Sequence, residues 1–166
     1  MNKRKLIPLL AIAALILLSC YAYSRYTGSS LSESGRIDSE ILKETMHYYV
    51  YLPPGYHVSA NKNRQYPILY LLHGATGDHT IYPKKIGIKR TADRAIGKGE
   101  CVPMMIVMPQ ARGGVYANLG NRYRYEDYFF QELIPKIEKA YRVQTERRFQ
   151  AITGHSMVAT ALCYMV

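Results

Sequence analysis

Apolar residues along the chain fall into short blocks, and the period changes from block to block. Residues 6–18 form an uncharged apolar run of thirteen, preceded by Lys3, Arg4 and Lys5. Residues 37–42 and 48–52 read as two strands, because the stretch from Met46 to Leu52 is rich in aromatic and branched side chains. Pro53-Pro54-Gly55 ends the second strand, and residues 56–65 are polar enough to form a loop. Residues 68–72, 104–108 and 150–153 are short continuous apolar runs, the mark of strands buried on both faces. Apolar positions at 88, 92, 95 and 96 predict a helix over 88–96. Phe129, Leu133 and Ile137 recur every fourth residue over 125–141, with Ile134 and Tyr141 beside them, and predict a second helix. Pro135 inside that helix predicts a kink, since proline removes a hydrogen bond and clashes one turn back. A last apolar run, residues 158–166, reads as a helix opened by Gly154-His155-Ser156.

Strands alternating with helices imply a mostly parallel sheet with helices on its faces. The early pair, 37–52, adds antiparallel strands at one edge. A chain of 166 residues with 48% hydrophobic and 20% charged residues suits one globular domain. The pattern divides it into residues 1–20, a targeting signal; 21–36, a flexible tether; and 37–166, the folded body.

The thirteen-residue apolar run is shorter than the ~20 residues a bilayer span needs, and matches the ~7–15 of a signal peptide. Leu17-Leu18-Ser19-Cys20 resembles a bacterial lipobox, in which Cys20 becomes the lipidated first residue. Cleavage near Ala22 and an uncleaved anchor remain the alternatives. Any of the three directs the protein out of the cytoplasm, to the cell envelope, the periplasm or the medium. The formal charge is +10, and leaving out Lys3, Arg4 and Lys5 leaves 19 bases against 12 acids. Those bases are scattered and follow no nucleic-acid-binding spacing, so no nucleic-acid partner is expected. Membrane contact is expected only through the N-terminal segment. Cys101 and Cys163 could pair in an oxidising compartment, although Cys163, in an apolar run, reads better as a buried thiol.

The chemistry concentrates at Gly154-His155-Ser156-Met157. A small residue, a variable one and then Ser, between a buried strand and a helix, is the pattern of a nucleophile elbow. The turn is sharp enough to strain the serine backbone and to push its hydroxyl clear of the sheet. A helix start then offers amides to a developing oxyanion. His73-Gly74-Ala75, closing an earlier strand, stands where a second donor belongs. The expected donors are the backbone amides of Ala75 and Met157. No Cys/His spacing suggests a metal, no loop suggests a nucleotide, and no cofactor is expected.

These residues, with Tyr48-Tyr49-Val50-Tyr51-Leu52-Pro53-Pro54-Gly55-Tyr56, Tyr66-Pro67-Ile68-Leu69-Tyr70-Leu71-Leu72-His73-Gly74, Tyr125-Glu126-Asp127-Tyr128 and Glu132-Leu133-Ile134-Pro135, resemble the esterase D group. That group holds feruloyl and acetyl-xylan esterases, S-formylglutathione hydrolases, enterochelin esterases and mycolyltransferases. The resemblance runs from about residue 37 to 162. It implies the α/β-hydrolase fold, truncated after the nucleophile elbow, and a triad in the chain order Ser, Asp or Glu, His. Residues 157–166 contain no His, Asp or Glu, so the chain reads as the N-terminal portion of such an enzyme, inactive by itself. Val158 departs from the glycine usual after Ser-Met and should crowd the elbow. The strand ending at Thr153, central in the complete fold, should lie at an edge here.

The remaining features read as structural. Asp127 precedes the nucleophile and should anchor a loop. His73 should shape its own turn, and His47, His57, His79 and His155 lack a placement suited to a triad base. Tyr82, Tyr116, Asn118 and Tyr123 could line a cleft above Ser156. The implied substrate is an extracellular small-molecule or polysaccharide ester: acetyl, feruloyl or siderophore. Acyl transfer of the mycolyltransferase type and a non-catalytic envelope lipoprotein are the alternatives. The sequence gives no oligomeric state.

Overall fold

The computed structural model describes residues 14–20 and 27–156, with the side chains at 32–34 left out. Residues 14–20 are helical and exposed, and no helix among the described residues is long and apolar enough to cross a membrane. Residues 1–13 of the signal segment, residues 21–26 of the tether and the expected helix at 158–166 with Val158 and Cys163 lie outside the described residues.

One five-stranded sheet organises the body. Its strands are β1 (Ser30–Ser39), β2 (Glu44–Leu52), β3 (Ile68–Leu72), β4 (Met105–Pro109) and β7 (Gln150–Gly154), in the order β1-β2-β4-β3-β7. A two-stranded ribbon, β5 (Asn118–Leu119) and β6 (Tyr123–Arg124), stands apart. β3, β4 and β7 run parallel, and β2 opposes both β1 and β4. β2 is thus the one reversed strand, and the sheet is mostly parallel, as expected. The C-terminal ends of β3, β4 and β7 share one end of the sheet with the β1–β2 turn. The N-terminal ends share the other with Leu52.

β1 begins at Ser30, seven residues earlier than the pattern predicts, so residues 30–33, 35 and 36 of the expected tether are in fact paired. An edge strand needs only one backbone partner and no apolar face, so hydropathy does not mark its start. A register shift between Glu33 and Gly35 lets the Tyr48 ring lie where a Gly35 side chain would be.

Alternate strand residues feed two cores. Tyr48, Val50, Ile68, Tyr70, Leu72, Met105 and Val107 face one side, under Tyr125, Tyr128, Phe129, Leu133 and Ile137. Tyr49, Tyr51, Ile106 and Met108 face the other, under Tyr82 and Ala92, with Ile88 and Ile96 packed alongside. The second layer comes from α1 (Ile88–Gly97) and a π-helical turn, Ile81–Ile86, that hydropathy did not predict. The first comes from a composite rod: α2 (Tyr125–Tyr128), a π-helical stretch Phe129–Leu133, and α3 (Ile134–Ala140). Pro135 sits in the first turn of α3, where its missing N–H costs least, and the wider π turn before it absorbs the mismatch. The predicted kink is therefore a change of helical register.

Glu132, on that rod, ties the β1–β2 turn to the core. Its carboxylate accepts from the Ser39 hydroxyl and from the amides of Glu40 and Ile41 at 3.0 and 3.1 Å. Glu132→Ala is expected to lower stability by about 1–2 kcal/mol, since half-exposed charged acceptors are worth less than buried ones. A urea midpoint within error of the parent would show that the turn holds without it.

Candidate functional site

Ser156 lies just past the C-terminal end of β7 and is exposed. Its φ is +65°, a left-handed backbone that L-residues with a β-carbon seldom adopt. Among the described non-glycine residues, Lys43 shares a positive φ, in the β1–β2 turn. The strain arises because β7 stays in register with β3 up to Leu72↔Gly154, and the His155 amide then reaches the Leu72 carbonyl at 3.4 Å. The chain must leave the sheet in the next residue. Ser156→Gly is expected to be more stable than Ser156→Ala by about 1 kcal/mol, because glycine carries no penalty at this φ. Equal melting midpoints would remove the strain argument.

The turn after β3 lies against this bend. A β-carbon built on Gly74 would come within 3.1 Å of the His155 carbonyl oxygen and 3.4 Å of the Ser156 Cβ. A glycine lets the two turns touch without either giving way. The Gly74–Ala75 peptide is fixed from one side, its carbonyl accepting from the Gly77 amide at 3.0 Å and contacting His73 Nδ1 at 2.9 Å. In a trans peptide the N–H points opposite the C=O, so the Ala75 amide is directed to the other side of the turn. Ala75 itself is exposed.

His73 sets this orientation. It is 1% exposed, and its Nε2 accepts from the Ala111 amide at 3.1 Å. Nδ1 must then carry the proton and donate it to the Gly74 carbonyl. Burial pushes its pKa below the ordinary value, while the bond to Gly74 and the charge of Asp78 oppose that shift. The ring is a neutral brace, as the sequence suggested.

A further brace was not legible. Gly114 has φ +70°, and a β-carbon there would lie 2.9 Å from both the Ala75 nitrogen and the Gly74 carbonyl carbon. Residues 112–114 therefore press on the very peptide that His73 orients. The adjacent Gly113-Gly114 pair signals an unusual turn, but not what the turn leans on.

The other candidates serve the scaffold. Tyr82 and Tyr116 are buried, and their hydroxyls donate to the Leu72 and His73 carbonyls at 3.0 and 2.7 Å. They cap the end of β3 and are not an open cleft lining. The Tyr123 hydroxyl accepts from the Arg112 amide, and Asn118 and Arg124 hold the Asp127 carboxylate at 3.1 and 2.6 Å. Those bonds, Asn118 first, keep the Asp127 pKa below the usual carboxylate range and make it a loop anchor. His47 stacks on His79 at 5.8 Å between ring centres, His57 meets the Ser30 hydroxyl at 3.2 Å, and the His155 ring lies against Gly74. Cys101 is a free thiol. Met157 lies outside the described residues, and Cys20 ends the exposed helix at 14–20.

Residues 39–166 match the family described as "Putative esterase". The endo-1,4-beta-xylanase/feruloyl esterase of Xylanibacter ruminicola is 28% identical over 142 residues, 82% of this chain and 20% of that protein. Endo-1,4-beta-xylanase Y of Acetivibrio thermocellus is 33% identical over 118 residues, 69% of this chain and 10% of that protein. Among solved structures, a ferulic acid esterase superposes with a TM-score of 0.73 at 34% identity, covering 79% of this chain and 50% of that one. The feruloyl esterase module from Clostridium thermocellum complexed with sinapinate gives 0.65 at 25%, covering 79% and 46%. The chain spans a fifth or less of these curated relatives and about half of these solved structures. The sheet and its layers are those of the α/β-hydrolase fold.

Proposed function

The chain belongs to this family of serine esterases, and on that premise we propose that it carries the nucleophile and one oxyanion donor of a carboxylic-ester hydrolase. The observation that supports the reading most is the left-handed backbone of Ser156, exposed at a parallel strand end and touching the turn that carries Ala75. The Ser156 hydroxyl attacks the ester carbonyl, the alcohol leaves, and water resolves the acyl-enzyme. The Ala75 and Met157 amides hold the oxyanion, at about 3 kcal/mol per donor.

Proton transfer needs a base. His73 has both ring nitrogens committed, and His47, His57, His79 and His155 have the contacts given above. None of them is assigned as the base, and the chain order Ser, Asp or Glu, His of the resemblance would put the triad acid and histidine after Ser156. The substrate class is an extracellular ester, with feruloyl, acetyl and siderophore esters as candidates. Two relatives whose names or titles carry feruloyl esterase point first to a hydroxycinnamoyl ester. Residues 1–20 act as the export signal, with Cys20 as the lipidation site. Hydrolysis of a p-nitrophenyl ester, with Ser156→Ala as the control, tests the assignment. Loss of turnover in the variant is expected of any preparation that hydrolyses the ester. Equal rates in parent and variant would sink it.

A further inference from the structure

The end of the sheet opposite Ser156 has its own chemistry. The connections leading into β3, β4 and β7 meet there. They carry exposed Lys62, Arg64, Lys98, Arg147 and Arg148, against exposed Glu100 and Glu146. Lys98 and Arg148 are spanned by those two acids at 3.4 and 2.9 Å, so Lys62, Arg64 and Arg147 supply the excess charge. An apolar groove of about 690 Å³ runs between the same connections, lined by Pro67, Val102, Pro103, Met104 and Phe149 among others, with Arg64 and Arg148 at its walls. Val102 is 60% exposed, although it is an apolar residue at the tip of a connection.

The chain also enters the body at this end. The Thr27 carbonyl accepts from the Gly55 amide, just beyond Leu52, and Ser30 pairs with Leu52. Cys20, the lipidation site of the proposed function, precedes Thr27 by seven residues. Ser156 sits at the far end of β7.

We propose that this end of the domain is a docking surface for an anionic lipid bilayer, the basic side chains meeting headgroups and Val102 entering the interface. The partner chemistry follows from three features together: a local excess of bases, an exposed apolar tip among them, and entry of the chain beside them a few residues after its proposed lipidation site. Each base near an anionic surface shifts partitioning roughly five-fold, and salt screens the effect within about a Debye length. Docking in this way points the Ser156 end away from the membrane, toward solvent. The proposal is independent of esterase activity.

The test is hydrogen–deuterium exchange of the full chain with vesicles of phosphatidylglycerol and phosphatidylcholine, compared with phosphatidylcholine alone. Expected is added protection of residues 62–67, 98–104 and 144–149 on the anionic vesicles only. Residues 75–80 and 112–124 should be unchanged. The protection should vanish at high salt and in both Arg64→Glu/Arg148→Glu and Lys62→Glu/Arg147→Glu. Unchanged exchange in β3 and β4 certifies that each variant is folded, and two different pairs guard against one that is not. Equal exchange on both vesicle types, failure to bind them, or protection of the Ser156 end would overturn the proposal.

Discussion

His73→Leu is expected to lower the unfolding free energy by about 2–5 kcal/mol, although the leucine fills much of the same space. Two backbone groups lose their partner at once: the Ala111 amide, which donates to Nε2, and the Gly74 carbonyl, which accepts from Nδ1. Leaving a buried donor or acceptor unmade costs about 1–3 kcal/mol each, while the bond itself contributes less. The Gly74 carbonyl keeps the Gly77 amide, so the Ala111 amide dominates the loss. The same ring makes stability depend on pH. Burial holds the folded-state imidazole below its ordinary 6.5, so the unfolded chain takes up a proton that the folded chain refuses. Stability from this group is complete above about pH 6.5 and is lost as the pH falls below it toward the folded-state value. Urea midpoints at neutral and mildly acidic pH, for parent and His73→Leu, check both claims. The parent should weaken on acidification more than the variant. A parallel response would show that some other group carries the dependence.

Gly114→Ala should be nearly as damaging for a purely steric reason. The methyl group would stand 2.9 Å from backbone atoms of the Gly74–Ala75 peptide, and backbone cannot swing aside as a flexible side chain can. A left-handed φ adds about 1–2 kcal/mol for any residue with a β-carbon, and overpacking adds about 1–3. A total near 2–4 kcal/mol is expected. One way to relieve the strain is to move the peptide whose N–H is assigned to the oxyanion. In a preparation that hydrolyses esters, kcat should therefore fall more than KM rises, because that hydrogen bond is made to the transition state. Gly113→Ala is the matched control, since nothing lies within 4 Å of a β-carbon there, although its φ of +55° carries the same backbone cost. If the two substitutions behave alike, contact with the Ala75 peptide contributes nothing.

The strands of the core were legible because each obeys a local rule. Residues 68–72 and 104–108 are continuous apolar runs, and they are β3 and, within a residue, β4. The end of β7 was legible as a strained serine turn, because a small residue before Ser at a strand end has few other uses. Position in the sheet changed what the rule means for β7 itself. Its residues are half-buried or exposed, since it pairs with β3 alone among the described residues. What failed was anything decided by a partner rather than by the local pattern. β1 was legible only at residues 37–39: its polar start shows itself only through pairing with β2, and residues 40–42, read as strand, form the turn. Pro135 disagreed with its helix until the π turn beside it was seen. The tyrosines at 82 and 116 looked like cleft residues, because composition does not reveal that their hydroxyls have carbonyls to reach. Gly114 is the clearest case: its role depends on a peptide nearly forty residues earlier, and no periodicity encodes that.

The strand order has a kinetic consequence. β1 and β2 are joined by a tight turn, so that hairpin closes a short loop. β7 pairs with β3 through Ile68↔Gln150, a separation of 82 residues. Loop-closure entropy for such a pairing must be met before any of its contacts form, and it grows with the length of chain enclosed. The hairpin and the layers over β2 and β4 are therefore expected to be in place before β7 docks. The bend at Ser156 depends on the Leu72↔Gly154 register and on Gly74 beside it, so the nucleophile acquires its geometry in the last steps of folding.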